Sequence, residues 1–236
     1  GQKSINNIVD ISNYIMFDLG QPVHAFDLDK LESQKIIVRN AKDEEYIDLL
    51  GFENKDRSVS LSSEDLVIAD EKEAIVVAGV KGGLKTAVDE NTKNIILEVA
   101  NFDPVSIRKT ANKFGIKTDA SKRYENEITS EYCLFAMEKM SNLIKMVCED
   151  ASFEEVVDVY TSKPKEVKIE IDVDYISRSL GVFVNENVVE RIFKNYNYNF
   201  EKNGNVFVLN VPPWRLDIKT RADILEEIGR VFKNEK

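Results

Sequence analysis

Four stretches of this sequence hold residue types that could do chemistry. His24 follows Gln21-Pro22-Val23, and Asp27 stands three residues on. An imidazole can orient or deprotonate a water molecule, and a nearby carboxylate can orient the imidazole. The plainer reading is a structural histidine beside a proline turn. Glu98 interrupts an otherwise apolar run, residues 94–100. It is odd enough there to stand out, and from the residues alone it reads as a salt-bridge partner or edge-strand charge. Ala78-Gly79 and Gly82-Gly83 bracket a small-residue loop whose backbone N–H groups could approach a ligand closely; a tight left-handed turn explains the glycines equally well. Residues 104–124 carry six basic side chains (Arg108, Lys109, Lys113, Lys117, Lys122, Arg123) against one acid, Asp119. Such a patch can receive a phosphate backbone, or it is a solvated helix face.

Other chemistry is excluded early. One histidine and two distant cysteines cannot build the usual zinc clusters, and no metal site is expected. Cys133 and Cys148 fall in one helical pattern roughly 22 Å apart at 1.5 Å per residue, too far to bridge. A reduced, cytoplasmic setting fits this cysteine usage.

These residues need elements to position them. Residues 5–19 read as a helix ended by Gly20 and Pro22. Residues 36–40 and 46–50 are short strand candidates. Residues 66–69 and 74–79 read as a hairpin across the turn Asp70-Glu71-Lys72-Glu73. The run bearing Glu98 leads to a helix from Pro104, with Asp103 as its cap. The clearest helix spans 129–148, capped by Thr129 or Ser130, with Cys133, Met137, Met140, Ile144 and Val147 on one face. Residues 153–160 read as a strand. The polar segment 161–166, with Pro164, is the best linker. Beyond it two short helices (174–180 and 187–196) precede a hairpin through Lys202-Asn203-Gly204-Asn205, a Pro212-Pro213-Trp214-Arg215 turn and a helix over 221–232. That order is compatible with a winged-helix-like module. The class is α+β in two domains, 1–162 and 163–236.

The chain has 236 residues, is 43% hydrophobic and 31% charged, and carries a net charge of −10, which argues against non-specific coating of nucleic acid. No apolar run of ~18 residues is present to cross a membrane. Residues 163–236 are nearly balanced, at 13 basic and 12 acidic. Trp214 and Arg215 could touch RNA, but a single Trp after a turn is usually core, and the structural reading is preferred.

Five blocks together resemble one family. They are INNIVDISNYIMFDLGQPVHAFDLD (5–29), ADEKEAIVVAGVKGG (69–83), LEVANFDPVSIRKTA (97–111), TDASKRYE (118–125) and NVPPWRLDI (210–218). In this order they look like the β subunit of bacterial phenylalanyl-tRNA synthetase. The resemblance implies a fragment. Residues 1–162 correspond to the mixed α/β editing module, entered part-way through its N-terminal part, and 163–236 to the winged-helix-like module that follows. It implies hydrolysis of mischarged Tyr-tRNA(Phe), in support of phenylalanyl-tRNA formation by a longer parent. His24 matches the editing-site histidine and Glu98 the glutamate that meets the tyrosine hydroxyl. Ser12, Asn13, Ala78, Gly79, Thr118 and Ala120 match pocket positions, with Ser12 where the family has Thr. A Ser12–His24–Asp27 triad lacks any nucleophile-elbow motif around Ser12, so covalent catalysis is not expected. Arg108, Lys109, Lys113 and Arg123 are the expected tRNA contacts; Arg123 could instead pair with Glu125. The chain departs from the family at Lys81, where methionine is usual, and at Asn126-Glu127-Ile128-Thr129, where Arg-Gly-Val-Asp is usual.

The resemblance also implies partners: tRNA(Phe), and the α subunit in an (αβ)₂ heterotetramer that carries the synthetic site. ATP and Mg²⁺ belong to that parent, with no cofactor in this fragment. The alternative is a non-catalytic tRNA-docking and subunit-assembly piece.

Overall fold

The computed structural model describes residues 3–33, 35–51, 58–161 and 163–234. They form two compact units, Gly1–Glu155 and Val156–Lys236, with the helices and antiparallel sheets of an α+β protein.

In the first unit, helix α1 (Asn7–Leu19) begins where the Asn6 side chain accepts a bond from the Val9 amide at 2.9 Å. Strand β1 (His24–Asp27) follows. The next strands are β2 (Ile37–Asn40), β3 (Tyr46–Asp48), β4 (Ser58–Ser60), β5 (Leu66–Ala69), β6 (Ala74–Val77), β7 (Lys81–Gly82) and β8 (Ile95–Glu98). They pair as a β2-β5-β6-β7 sheet, a β3-β4 hairpin and a β1-β8 ribbon. Asp70 closes the β5-β6 turn by accepting from the Lys72 and Glu73 amides, both at 2.8 Å. Helix α2 (Pro104–Phe114) starts at a proline whose missing N–H costs nothing there, and Asp103 caps it through the Ser106 amide at 2.7 Å. Helices α3 (Asp119–Tyr124) and α4 (Tyr132–Val147) complete the unit.

The β1-β8 ribbon lies between two cores. One face puts Ala25, Ile95 and Leu97 against α1 and α4, through Ile8, Ile15, Ala136, Met140 and Ile144. The other puts Phe26 and Ile96 against Ile68, Ile75, Val76 and Ala78 of the four-stranded sheet. Covering both faces of a two-stranded ribbon removes enough apolar area from water to hold an element that would not survive alone.

In the second unit, β9 (Val167–Asp172), β10 (Asn199–Asn203) and β11 (Val206–Val211) form a sheet in the order β10-β11-β9. Helices α5 (Val173–Leu180), α6 (Glu186–Asn195) and α7 (Arg221–Asn234) pack on it around Phe193, Phe207 and Ile224.

Four expectations are corrected. Residues 153–160 form no strand: they lack a neighbouring strand to complete a ladder, and Val157 and Val159 stand 88% and 80% exposed. Val147 lies off the buried face of α4, which runs through Ala136, Met140 and Ile144. That helix has no side-chain cap, because Thr129 Oγ1 accepts from the Glu131 amide, which lies just before the helix begins. Trp214 is 52% exposed, since aromatic rings from α6 and the sheet already fill the core.

Candidate functional site

The β1-β8 register pairs His24 directly with Glu98, then Ala25 with Leu97, Phe26 with Ile96 and Asp27 with Ile95. Residues opposite one another in a ladder share a face, so the imidazole and the carboxyl project together toward the four-stranded sheet. Phe26, two residues on, stands edge-to-face with the His24 ring at a centroid distance of 4.6 Å.

Both residues are part-buried in the fold. Burial alone pushes the His24 imidazole down to about 4 and the Glu98 carboxyl up to about 7. Glu98 Oε2 is buried with no hydrogen-bond partner. Unpaired buried carboxyl oxygens are costly, and one that persists calls for an explanation. Asp27 does not orient the imidazole. Strand alternation turns it to the other face, where it accepts from Thr92 Oγ1 at 2.5 Å and pairs with Lys30 at 3.2 Å.

The glycine loop closes over this face. A Cβ on Gly82 would lie 2.9 Å from His24 Cε1, so the imidazole rests on bare backbone. Gly79, at φ +65°, has Ile107, Phe102 and Tyr124 side-chain carbons 2.8–3.1 Å from where a Cβ would stand. Only glycine fits there. Thr118 ties α3 to this loop. Its hydroxyl donates to Val80 O at 2.9 Å and accepts the Ser121 amide at 3.0 Å. Ala120 is half-buried against the same core. Ala78, Gly79, Thr118 and Ala120 are thus gathered around one loop. Ser12 and Asn13 sit apart on α1, and the Ser12 hydroxyl is occupied by Ile8 O at 2.8 Å.

The basic run divides. Lys113 is bound to the buried Asp65 at 2.5 Å and to Ser62. Arg108 donates to the Glu125 carbonyl. Arg123 donates to the Asp119 carbonyl at 2.7 Å and lies over the Phe17 ring, rather than pairing with Glu125. Lys109 is exposed. A cavity of about 430 Å³ is lined by Tyr46, Asp48, Ser58, Glu73, Leu84 and Lys85, and includes neither His24 nor Glu98. Among the described residues, no cluster of three or more His, Cys, Asp or Glu could hold a metal, and no helix is long and apolar enough to cross a membrane.

Residues 1–149 match the B3/4 domain. The chain belongs to the B3/4 domain family. Residues 169–232 match the tRNA synthetase B5 domain. Over 233 residues the chain is 37% identical to the phenylalanine–tRNA ligase beta subunit of Protochlamydia amoebophila, covering 98% of this chain and 29% of that one. It is 41% identical over 231 residues to the same subunit of Carboxydothermus hydrogenoformans, covering 98% and 28%. The chain therefore spans less than a third of the length of these curated relatives. A solved N-terminal fragment of the phenylalanyl-tRNA synthetase beta subunit from Pyrococcus horikoshii aligns over 96% of the chain and 65% of its own, at 15% identity and TM-score 0.46.

Sequence reasoning passed over two B3/4 residues that border the site. Tyr124 is buried with its ring edge-on to Phe102 at 5.0 Å, and the Glu98 charge is among the causes that raise its phenol. Gln21 is 1% exposed. The available signal was a polar side chain wedged between Gly20 and Pro22.

Proposed function

We propose that the chain is part of a phenylalanine–tRNA ligase beta subunit, and that its B3/4 unit hydrolyses tyrosine from mischarged tRNA(Phe). Glu98 carries this reading: a carboxyl oxygen buried without a partner, across the ladder from a desolvated histidine. A tyrosine hydroxyl would supply the missing donor. A phenylalanine ring would leave the group unpaired, a difference of about 1–3 kcal/mol.

The residues then take distinct roles. Water attacks the ester carbonyl carbon and releases one proton to solvent as the new C–O bond forms and the carbonyl oxygen becomes an oxyanion. Collapse expels the ribose oxygen of the terminal adenosine, which takes a proton from solvent, leaving free tyrosine and tRNA. His24 at about 4 is neutral near pH 7 but a weak base, so its part is to orient the water or the ester. Ala78, Gly79, Thr118 and Ala120 wall the aromatic slot, while Ser12 and Asn13, apart on α1, take no direct part. Lys109, with Arg108 and Arg123, faces the tRNA backbone. Lys113, held by Asp65, contributes less than its charge suggests.

In this reading the modules are 1–162 and 163–236, the hydrolysis uses no cofactor, and ATP and Mg²⁺ serve only the parent's aminoacylation. The partners are tRNA(Phe) and an α subunit in an (αβ)₂ assembly working in the cytoplasm. The second reading, a non-catalytic tRNA-docking and assembly piece, is favoured by the position of the 430 Å³ cavity away from His24 and Glu98.

Deacylation of preformed Tyr-tRNA beside Phe-tRNA separates the two readings. The enzyme reading expects preferential release of tyrosine, abolished by Ala120→Trp while the fold persists. Equal, background-level release of both amino acids supports docking alone.

A further inference from the structure

We infer that Gln21 and Tyr124 form a side-chain clamp that fixes the spacing of His24 and Glu98, which makes both of them positioning residues for the hydrolytic site. The inference rests on the reading of that pair as the reacting centre.

The β1-β8 ladder stops at His24 and Glu98. Extending the β1-β8 register past His24 and Glu98 brings Pro22 opposite Ala100. Proline has no N–H, so the rung there loses its bond to Ala100 O. The strand ends would part just beyond the pair on which the chemistry depends.

Two side chains from outside the ribbon supply the absent donors. Gln21 Nε2 donates to Ala100 O at 2.9 Å and to Pro22 O at 3.1 Å. The Tyr124 hydroxyl lies within 3.1 Å of Ala100 O and 3.3 Å of Pro22 O. Gln21 serves both carbonyls with its two N–H groups, and the single hydroxyl proton of Tyr124 is shared between the same two acceptors. Gln21 and Tyr124 are 1% and 3% exposed, so water does not compete for these bonds.

Tyr124 reaches a third part of the site. Its ring stands 3.1 Å from the position a Gly79 Cβ would take and packs on Phe102. One residue thus touches the approach to His24, the exit from Glu98 and the glycine loop. If it only filled the core, phenylalanine would serve as well. The hydroxyl is what joins the two strand ends, and closing that gap keeps the pair dry as well as aligned.

His24 is the only histidine in the chain, so its imidazole resonances report on the site without ambiguity. The test compares the 236-residue chain with Tyr124→Phe, Gln21→Met and the double variant, with the fold checked by amide spectra. Loss of the hydroxyl lets water reach the Pro22 and Ala100 carbonyls beside the pair. The His24 titration midpoint should then rise from about 4 by about one unit in each single variant, and further in the double. In Tyr-tRNA deacylation, kcat should fall about 10- to 100-fold with KM changed less than about twofold. Variants that lower the melting temperature but leave the His24 midpoint and kcat unmoved would overturn the clamp and leave a structural tyrosine. If the parent chain hydrolyses no Tyr-tRNA, the functional reading fails, and the histidine titration still decides the clamp alone. Should Tyr124→Phe not fold, Gln21→Met carries the same two readouts.

Discussion

Each unit of the chain buries a glutamate, and the two are treated in opposite ways. In the B5 unit, Glu227 is 6% exposed and meets Arg215 at 3.0 Å. Arg215 also grips Asp217 at 2.9 and 2.7 Å and donates to the Tyr198 hydroxyl at 2.6 Å. Every formal charge there has a partner. In the B3/4 unit, Glu98 Oε2 has none, and His24 across from it is shifted by burial alone. A fold able to build the first network could have satisfied Glu98 in the same way. Leaving it bare costs stability, and on the proposed reading a substrate hydroxyl completes the bond.

The comparison breaks most visibly at Arg215. Arg215→Met leaves the buried Glu227 with only the more distant Arg230, 3.6 Å away, and should destabilise the B5 unit by about 3 kcal/mol. Urea unfolding followed through Trp214, the single tryptophan, measures this, and the His24 titration should not move. A loss under about 0.5 kcal/mol would mean that the network is surface decoration.

Glu98→Gln should do the reverse. A folded carboxyl at about 7, against an ordinary 4.5, contributes its full stability below pH 4.5 and loses it as pH rises through about 7. Replacing it should therefore change little at pH 4 and stabilise the chain above pH 7 by about 2 kcal/mol. His24 runs the other way. Its value, lowered from 6.5 to about 4, gives stability that is present above pH 6.5 and lost as pH falls through about 4. In the wild-type chain the two slopes nearly cancel between pH 4.5 and 6.5. Glu98→Gln should expose the histidine slope there, and a flat profile would contradict the account.

The smallest effect concerns the basic run. Arg108→Gln with Lys109→Gln should change stability by less than about 0.5 kcal/mol and lower the salt slope of tRNA binding by about one to two. Lys113→Gln should do the opposite, costing about 1–3 kcal/mol through the stranded Asp65 while barely altering that slope.

Local rules made much of this fold readable. Gly20 with Pro22 marks the end of one helix, Asp103 with Pro104 the start of another, and the Asp70 turn a hairpin, because caps and turns are decided by residues a few positions apart. The run from Val156 to Tyr160 misled because β-branched residues report a preference, while a strand also needs a neighbour that the local pattern does not contain. The same limit applies at the site. His24 and Glu98 each stood out singly, but their apposition across 73 intervening positions is a matter of register. Asp27 looked like a partner by spacing, yet alternation along β1 turns it away. Tyr124 was hidden in a basic stretch, and its role comes from two carbonyls distant in sequence.

The central claim, that Glu98 is left unpaired to recognise a tyrosine hydroxyl, is tested most directly by one kinetic comparison. Deacylation of Tyr-tRNA and Phe-tRNA should be measured for the wild-type subunit and for Glu98→Ala. Hydrolysis of Tyr-tRNA should fall steeply, and the preference for tyrosine over phenylalanine should shrink by about 5- to 150-fold, the equivalent of about 1–3 kcal/mol. Equal loss on both esters, with the preference intact, would make Glu98 a structural residue and contradict the account.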